Sequence, residues 1–244
     1  MPGSTHILDY VTFLQELGKT NEPYFLEGGQ AVNFWAEFYS ARSRAGGLTE
    51  FLPFTSKDCD IWIGWAALKF FQAGKGGTFT KGDSPADGQI GVFTIAETPP
   101  RTIDVMCGVY GIRAAENDVL LERAPRVNGI SVLDPLNLFR SKCHCLIDLD
   151  QTDRQDGKHL RMLCLILPVY LSELIAEAET GAIGERHLLR EVKLLRRYCS
   201  LSRCRRALLQ IKTSPESLFP IRAMQESCLA RLAAFASATW PDEG

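Results

Sequence analysis

Apolar residues recur at helical spacing over 7–18, where "ILDYVTFLQELG" stops at a glycine, and this predicts a first helix. The short apolar run "PYFLEGG" (23–29) predicts a strand entering a tight turn at paired glycines. Over 30–45, Val32, Trp35, Phe38 and Tyr39 fall on one helical face. The loop-like "GGLTEFLPFTS" then leads into "CDIWIGW", a second strand, and "AALKFFQAG" predicts a short helix. Two more strands flank a polar loop in "GTFTKGDSPADGQIGVFTIAE", and "RTIDVMCGVYGI" (101–112) supplies another. "VLLERAPRVNGISVL" (119–133) reads as a hairpin or short strand pair turning at Asn-Gly. After Asp134-Pro135 the period is helical, over 135–149, 157–177, 185–211 and 215–238.

The pattern therefore predicts an α+β chain: a mixed sheet with flanking helices over 1–133, then a helical bundle over 134–244. A length of 244 residues allows one large domain or two modest ones. No stretch reads as an apolar run long enough to span a bilayer, and "MPGSTHILDY" lacks a signal peptide's basic and apolar regions, so no membrane and a cytoplasmic location are expected. Eight scattered cysteines include no CxxC pair and read mostly as buried free thiols. "KCHC" at 142–145 is metal-like, but no second Cys/His pair stands at a zinc spacing.

Charge adds one feature. Residues 185–212 hold nine Lys/Arg against two acids, a local +7 that leaves −9 for the rest of the chain. That stretch reads as a surface for a polyanion or as a solvated helix face.

The candidate chemistry lies in "TSKDCDIWIG". Side chains alternate along a strand, so Asp58 and Asp60 share a face and Cys59 points into the opposite one, a core thiol. Asp104 stands in the middle of "RTIDVMCG", where an acid between Ile103 and Val105 needs a partner. If the two strands are neighbours, the three acids form a cluster whose repulsion divalent cations would relieve. Gly28-Gly29 lets backbone approach a phosphate, and the helix that follows presents free N–H groups. The order of glycine turn, DxD and a third strand acid describes nucleotidyl or phosphoryl transfer assisted by two metal ions. "LGKT" at 17–20 and "GKGG" at 74–77 lack the residues of a phosphate-binding loop, and His6, His144 and His187 have no evident partners.

"LEGGQAVNFW", "FTSKDCDIWI" and "RTIDVM" together resemble the nucleotidyltransferases of the DNA polymerase beta superfamily, most of all the AbiEii-type members, many of them toxins of toxin–antitoxin pairs. "GISVLDPLNLFRSKCHCLID" and "DRQDGKHLRML" extend the likeness to roughly 23–165. In the second, Arg154, Asp156 and Leu160 match the family motif, while Gln155 stands for a usual Lys and His159 for a usual Asp. The resemblance implies Mg²⁺ on Asp58, Asp60 and Asp104, with Asp104 as base or orienter of an acceptor hydroxyl. It implies NTP triphosphate contacts at Gly28, Gly29 and Lys142, with Asp156 as a supporting polar group and Lys57 nearby. The implied activity moves an NMP from an NTP to a hydroxyl, on RNA or tRNA given the basic segment 185–212, with a cognate antitoxin as partner. The alternatives are a non-catalytic scaffold of the same fold, or transfer to a small molecule or a protein.

Overall fold

The computed structural model describes residues 4–41, 47–74, 76–82 and 88–241. The end of the helix predicted over 30–45, most of the polar loop within 82–88, and Lys75 of "GKGG" lie outside the described residues.

Five strands build the main sheet: β2 (Tyr24–Glu27), β4 (Cys59–Ile63), β5 (Gly77–Lys81), β6 (Gln89–Ile95) and β7 (Arg101–Met106). Their order is β2-β4-β7-β6-β5, with β4 and β7 parallel and the other pairs antiparallel. Alternation sets the faces. In β7, Ile103 and Val105 are buried while Asp104 and Met106 lie half-buried on the other side. Cys59 and Ile61 of β4 are buried alongside them, which turns Asp60 toward the open face. Two minor pairs complete the strands, β1 (Thr5–His6) with β3 (Thr55–Ser56), and β8 (Arg126–Val127) with β9 (Ile130–Ser131). Asn128 and Gly129 both have positive φ, the conformation a two-residue hairpin turn demands.

Helices α1 (Val11–Lys19), α2 (Gly28–Ser40), α3 (Leu68–Gln72) and α4 (Asn117–Arg123) accompany these strands. The segment 119–133, expected as a strand pair, is thus a helix followed by a tiny hairpin. Leu120 fills the core from α4, and only the Asn-Gly part turns as a ribbon.

Beyond residue 131 the chain is helical: α5 (Pro135–Asp148), α6 (Asp156–Glu179), α7 (Glu185–Ser200), α8 (Ser202–Gln210), α9 (Ile221–Gln225) and α10 (Ala230–Thr239). Asp134 caps α5 by accepting from the Leu136 and Asn137 amides, with Pro135 in the first turn, where no amide hydrogen is needed. The single helix read over 185–211 breaks at Leu201, whose extended backbone lets α8 fold onto α5. The apolar core is continuous across residue 133. The Leu133 amide donates to the Leu26 carbonyl at 2.9 Å, and Trp35 of α2 donates to the Leu133 carbonyl at 2.9 Å.

Among the described residues one helix, α6, is long and apolar enough to cross a bilayer by length and composition, contrary to the sequence reading. It is a core helix here, with 56% of its most apolar window buried against its neighbours. Six of the eight cysteines are buried and all are free, so they act as core residues. His6, expected to lack a partner, pairs through Nε2 with Glu37 at 2.7 Å, and its Nδ1 accepts from the Leu8 amide.

Candidate metal and phosphate site

Register assembles the acids. Glu27 of β2 stands opposite Asp60 of β4, and Asp60 stands beside Asp104 of β7, so three carboxylates form a row across three strands. Asp58, just ahead of β4, joins them: one oxygen each from Asp58, Asp60 and Asp104 lies within 4.8 Å of the others. Like charges at that range oppose ionisation. Burial first, then the charge of Asp58, pushes the Asp60 carboxyl up to about 7 despite Lys142 nearby. Glu27 is raised well above the usual carboxylate range by burial, then by Asp60, and its Oε1 has no hydrogen-bond partner among the described residues. Gln89 donates to Asp104 Oδ1 at 2.8 Å and fixes that carboxylate. An all-oxygen, anionic set of this spacing suits a hard divalent cation such as Mg²⁺, and the strained ionisation of Asp60 is what such a cation would relieve. The residues present fit the metal.

The glycines are packed rather than merely turned. Helix α2 begins at Gly28 itself, whose φ is +65°, and a Cβ there would sit 1.8 Å from Asp60 Oδ2. At Gly29 a Cβ would meet Ser56 Oγ at 2.4 Å and His159 Cε1 at 2.7 Å. The absence of side chains thus draws the amide-rich start of a 13-residue helix against the acid row.

Opposite them stand cations. Lys142 of α5 pairs with Asp156 at 2.9 Å, both buried, and Arg154 pairs with the other Asp156 oxygen at 2.5 Å. Burial alone would raise Asp156, but Lys142 and the Arg154 hydrogen bond outweigh it and hold it at about 2. Lys142–Asp156 is therefore no loose surface pair; α5 and the start of α6 are tied together at the site. Lys57 reaches Asp153 only at 3.9 Å in solvent, a contact worth little.

Two clefts meet at Asp58, Asp60, Lys142 and Arg154. The first, about 250 Å³, adds Gly29, Ser56, Lys57 and His159. The second, about 340 Å³, adds Glu27, Gln89, Asp104, Met106 and Tyr110. Every site residue expected from the sequence lines one or both. Cys59 lies in the core, as its strand position required. The "KCHC" residues wrap around α5, and among the described residues no Cys/His group converges on a metal position.

Glu27 and the role of His159 escaped the sequence reading. Glu27 stands directly ahead of the paired glycines, and that place was its one signal in the sequence. His159 was visible only as a departure from a motif. It is 3% exposed with both ring nitrogens unpaired among the described residues, and burial, then Lys142, hold it at about 3. An unfolded histidine titrates near 6.5, so between about 3 and 6.5 the unfolded chain binds the extra proton. Stability is therefore expected to fall as pH drops through that window, by up to ~1.4 kcal/mol per pH unit from this group. Urea denaturation at several pH values checks this: His159→Leu should flatten the slope, and an unchanged slope contradicts it.

No protein-family model matches the chain, and no curated protein matches it either. Among solved structures it is similar to an antigenic nucleotidyltransferase-like protein from Paracoccidioides brasiliensis, at 13% identity and a TM-score of 0.43, over 68% of this chain and 79% of that one. A likeness at that level carries no argument about function.

Proposed function

We propose that this protein is an Mg²⁺-dependent nucleotidyltransferase that moves an NMP from an NTP to an acceptor hydroxyl. The observation that carries the reading is the registered row of Asp60 and Asp104, with Asp58, against the glycine-opened start of α2. Divalent cations held by Asp58, Asp60 and Asp104 would gather phosphate and acceptor oxygens and offset the charge that develops between them.

The chain's own groups divide the remaining work. The first cleft binds the triphosphate, with the Gly29 amide and the ammonium of Lys57 facing its oxygens and Gly28 lining the adjoining cleft. Asp104, oriented by Gln89, takes the proton of the acceptor hydroxyl as that oxygen bonds to the α-phosphorus. The bond from the α-phosphorus to the bridging oxygen breaks, and pyrophosphate leaves with its charge met by Lys142 and Arg154. Asp156 positions both cations.

RNA is the acceptor this reading favours. All nine Lys/Arg of 185–212 are exposed, on α7, α8 and the residue pair beyond. A cognate antitoxin and a toxin role follow from the sequence resemblance alone. Incubation with α-labelled NTPs, Mg²⁺ and total RNA is expected to label RNA in a form that chelator abolishes. Label appearing in protein or a small molecule relocates the acceptor, and no label in any fraction defeats the reading.

A further inference from the structure

The two clefts differ in what they can hold. Both are lined by Asp58, Asp60, Lys142 and Arg154; the first adds Gly29 and Lys57, whereas the second adds Glu27 and Asp104 together with an apolar group. Met106 from the end of β7, Cys145 from α5, Leu149 just past the end of that helix and Tyr110 make up that group. A phosphate chain has no use for that apolar group. A flat, uncharged, largely apolar ligand does.

Tyr110 is 41% exposed, yet its loop is clamped from several directions. The Cys107 amide donates to the Gly88 carbonyl at 2.7 Å, and Asn117 of α4 donates to the Cys107 carbonyl at 3.2 Å. Val109 is buried, and Gly111 presses so closely on α5 that a Cβ would lie 2.4 Å from His144 Cγ. A part-exposed aromatic ring on a fixed loop, lining a cleft beside apolar side chains, suits stacking. The cleft's 340 Å³ falls within the usual span of small-ligand sites, about 300–1,000 Å³.

We infer that the second cleft is a nucleobase subsite, with Tyr110 as the stacking ring and Met106, Cys145 and Leu149 as its apolar lining. The inference rests on the transfer reading, which brings two nucleosides to the acids: that of the NTP, and that of the acceptor's terminal residue. Stacking does not depend on which of them supplies the base.

Equilibrium binding in Mg²⁺ separates the sources. One arm compares ATP with inorganic tripolyphosphate; the other compares a short single-stranded RNA with the same RNA ending in an abasic ribose. The wild-type protein is expected to prefer the base-bearing ligand about tenfold or more in one arm, and that arm names the source. Tyr110→Ala and Tyr110→Leu should erase the preference and leave tripolyphosphate or abasic RNA bound as before, while Tyr110→Phe keeps it. A preference that survives in both Tyr110→Ala and Tyr110→Leu overturns the subsite, as does a wild-type protein with no preference in either arm. Base-dependent binding that Tyr110 controls, without any label transfer, would leave the subsite standing and remove the transferase reading.

Discussion

Asp60→Asn is expected to cut label transfer by about 10²–10³-fold or more while making the cation-free protein more stable. The substitution keeps the shape of the side chain and removes the central charge of the acid row. In the wild type that charge is paid for at high pH. A carboxyl whose folded value sits at about 7, above the ordinary 3.8, favours the folded state's proton uptake between those values. Stability without cation therefore declines as pH rises through that window, and at pH 8 Asp60→Asn should recover roughly 1–3 kcal/mol. At pH 4 the gain should shrink, because folded Asp60 is then already protonated. Melting curves with and without Mg²⁺ give the second half of the test. Mg²⁺ should raise the wild-type midpoint at pH 8 and leave Asp60→Asn nearly unmoved. Transfer retained within tenfold, or an equal Mg²⁺ effect in both proteins, would falsify the assignment of Asp60 as a ligand-bearing acid.

How the site could be read from sequence depends on which contacts alternation reports. A period of two says that Asp58 and Asp60 share a face and Cys59 does not, and the structure agrees. It cannot say that β4 pairs with β7, since β5 and β6 intervene in the chain and pairing between distant strands leaves no local trace. The meeting of Asp60 and Asp104 was accordingly conditional until register placed them side by side. Glu27 was hidden for the same reason, because its partner Asp60 is more than thirty residues away. Helix boundaries failed where periodicity continues through a break. The heptad-like pattern of 185–211 runs past Leu201, and only packing of Cys204, Ala207 and Leu208 into the core shows why α8 turns away. In 215–238 the signal was present but unread: Pro220 biases Phe219 to extended backbone, and Phe219 adopts φ −115° and ψ 137°. Asp134-Pro135, by contrast, was legible as a helix start because cap chemistry is local.

Arg123→Met is expected to destabilise the fold by about 3–5 kcal/mol, the largest loss from any single substitution considered. Arg123 at the end of α4 reaches Glu191 of α7 through two hydrogen bonds, at 2.8 and 2.6 Å, and Asp134 through two more, at 3.3 and 3.2 Å. Both carboxylates are almost fully buried, so removing the guanidinium strands two charges in the interior. The loss should not stay local. Asp134 caps α5 and also accepts from Asn137, which in turn accepts from the Tyr198 hydroxyl of α7. Helix α5 carries Lys142, so a shifted cap moves the cation that faces the acid row. Denaturant unfolding should show the lower midpoint, and label transfer should fall with it even at temperatures where the variant remains folded. Adding Glu191→Gln to Arg123→Met removes one stranded charge and should restore part of the stability, giving a double-mutant cycle with a coupling of about 1–3 kcal/mol. Additive losses would mean that Arg123 acts through its apolar stem and not through the buried pair.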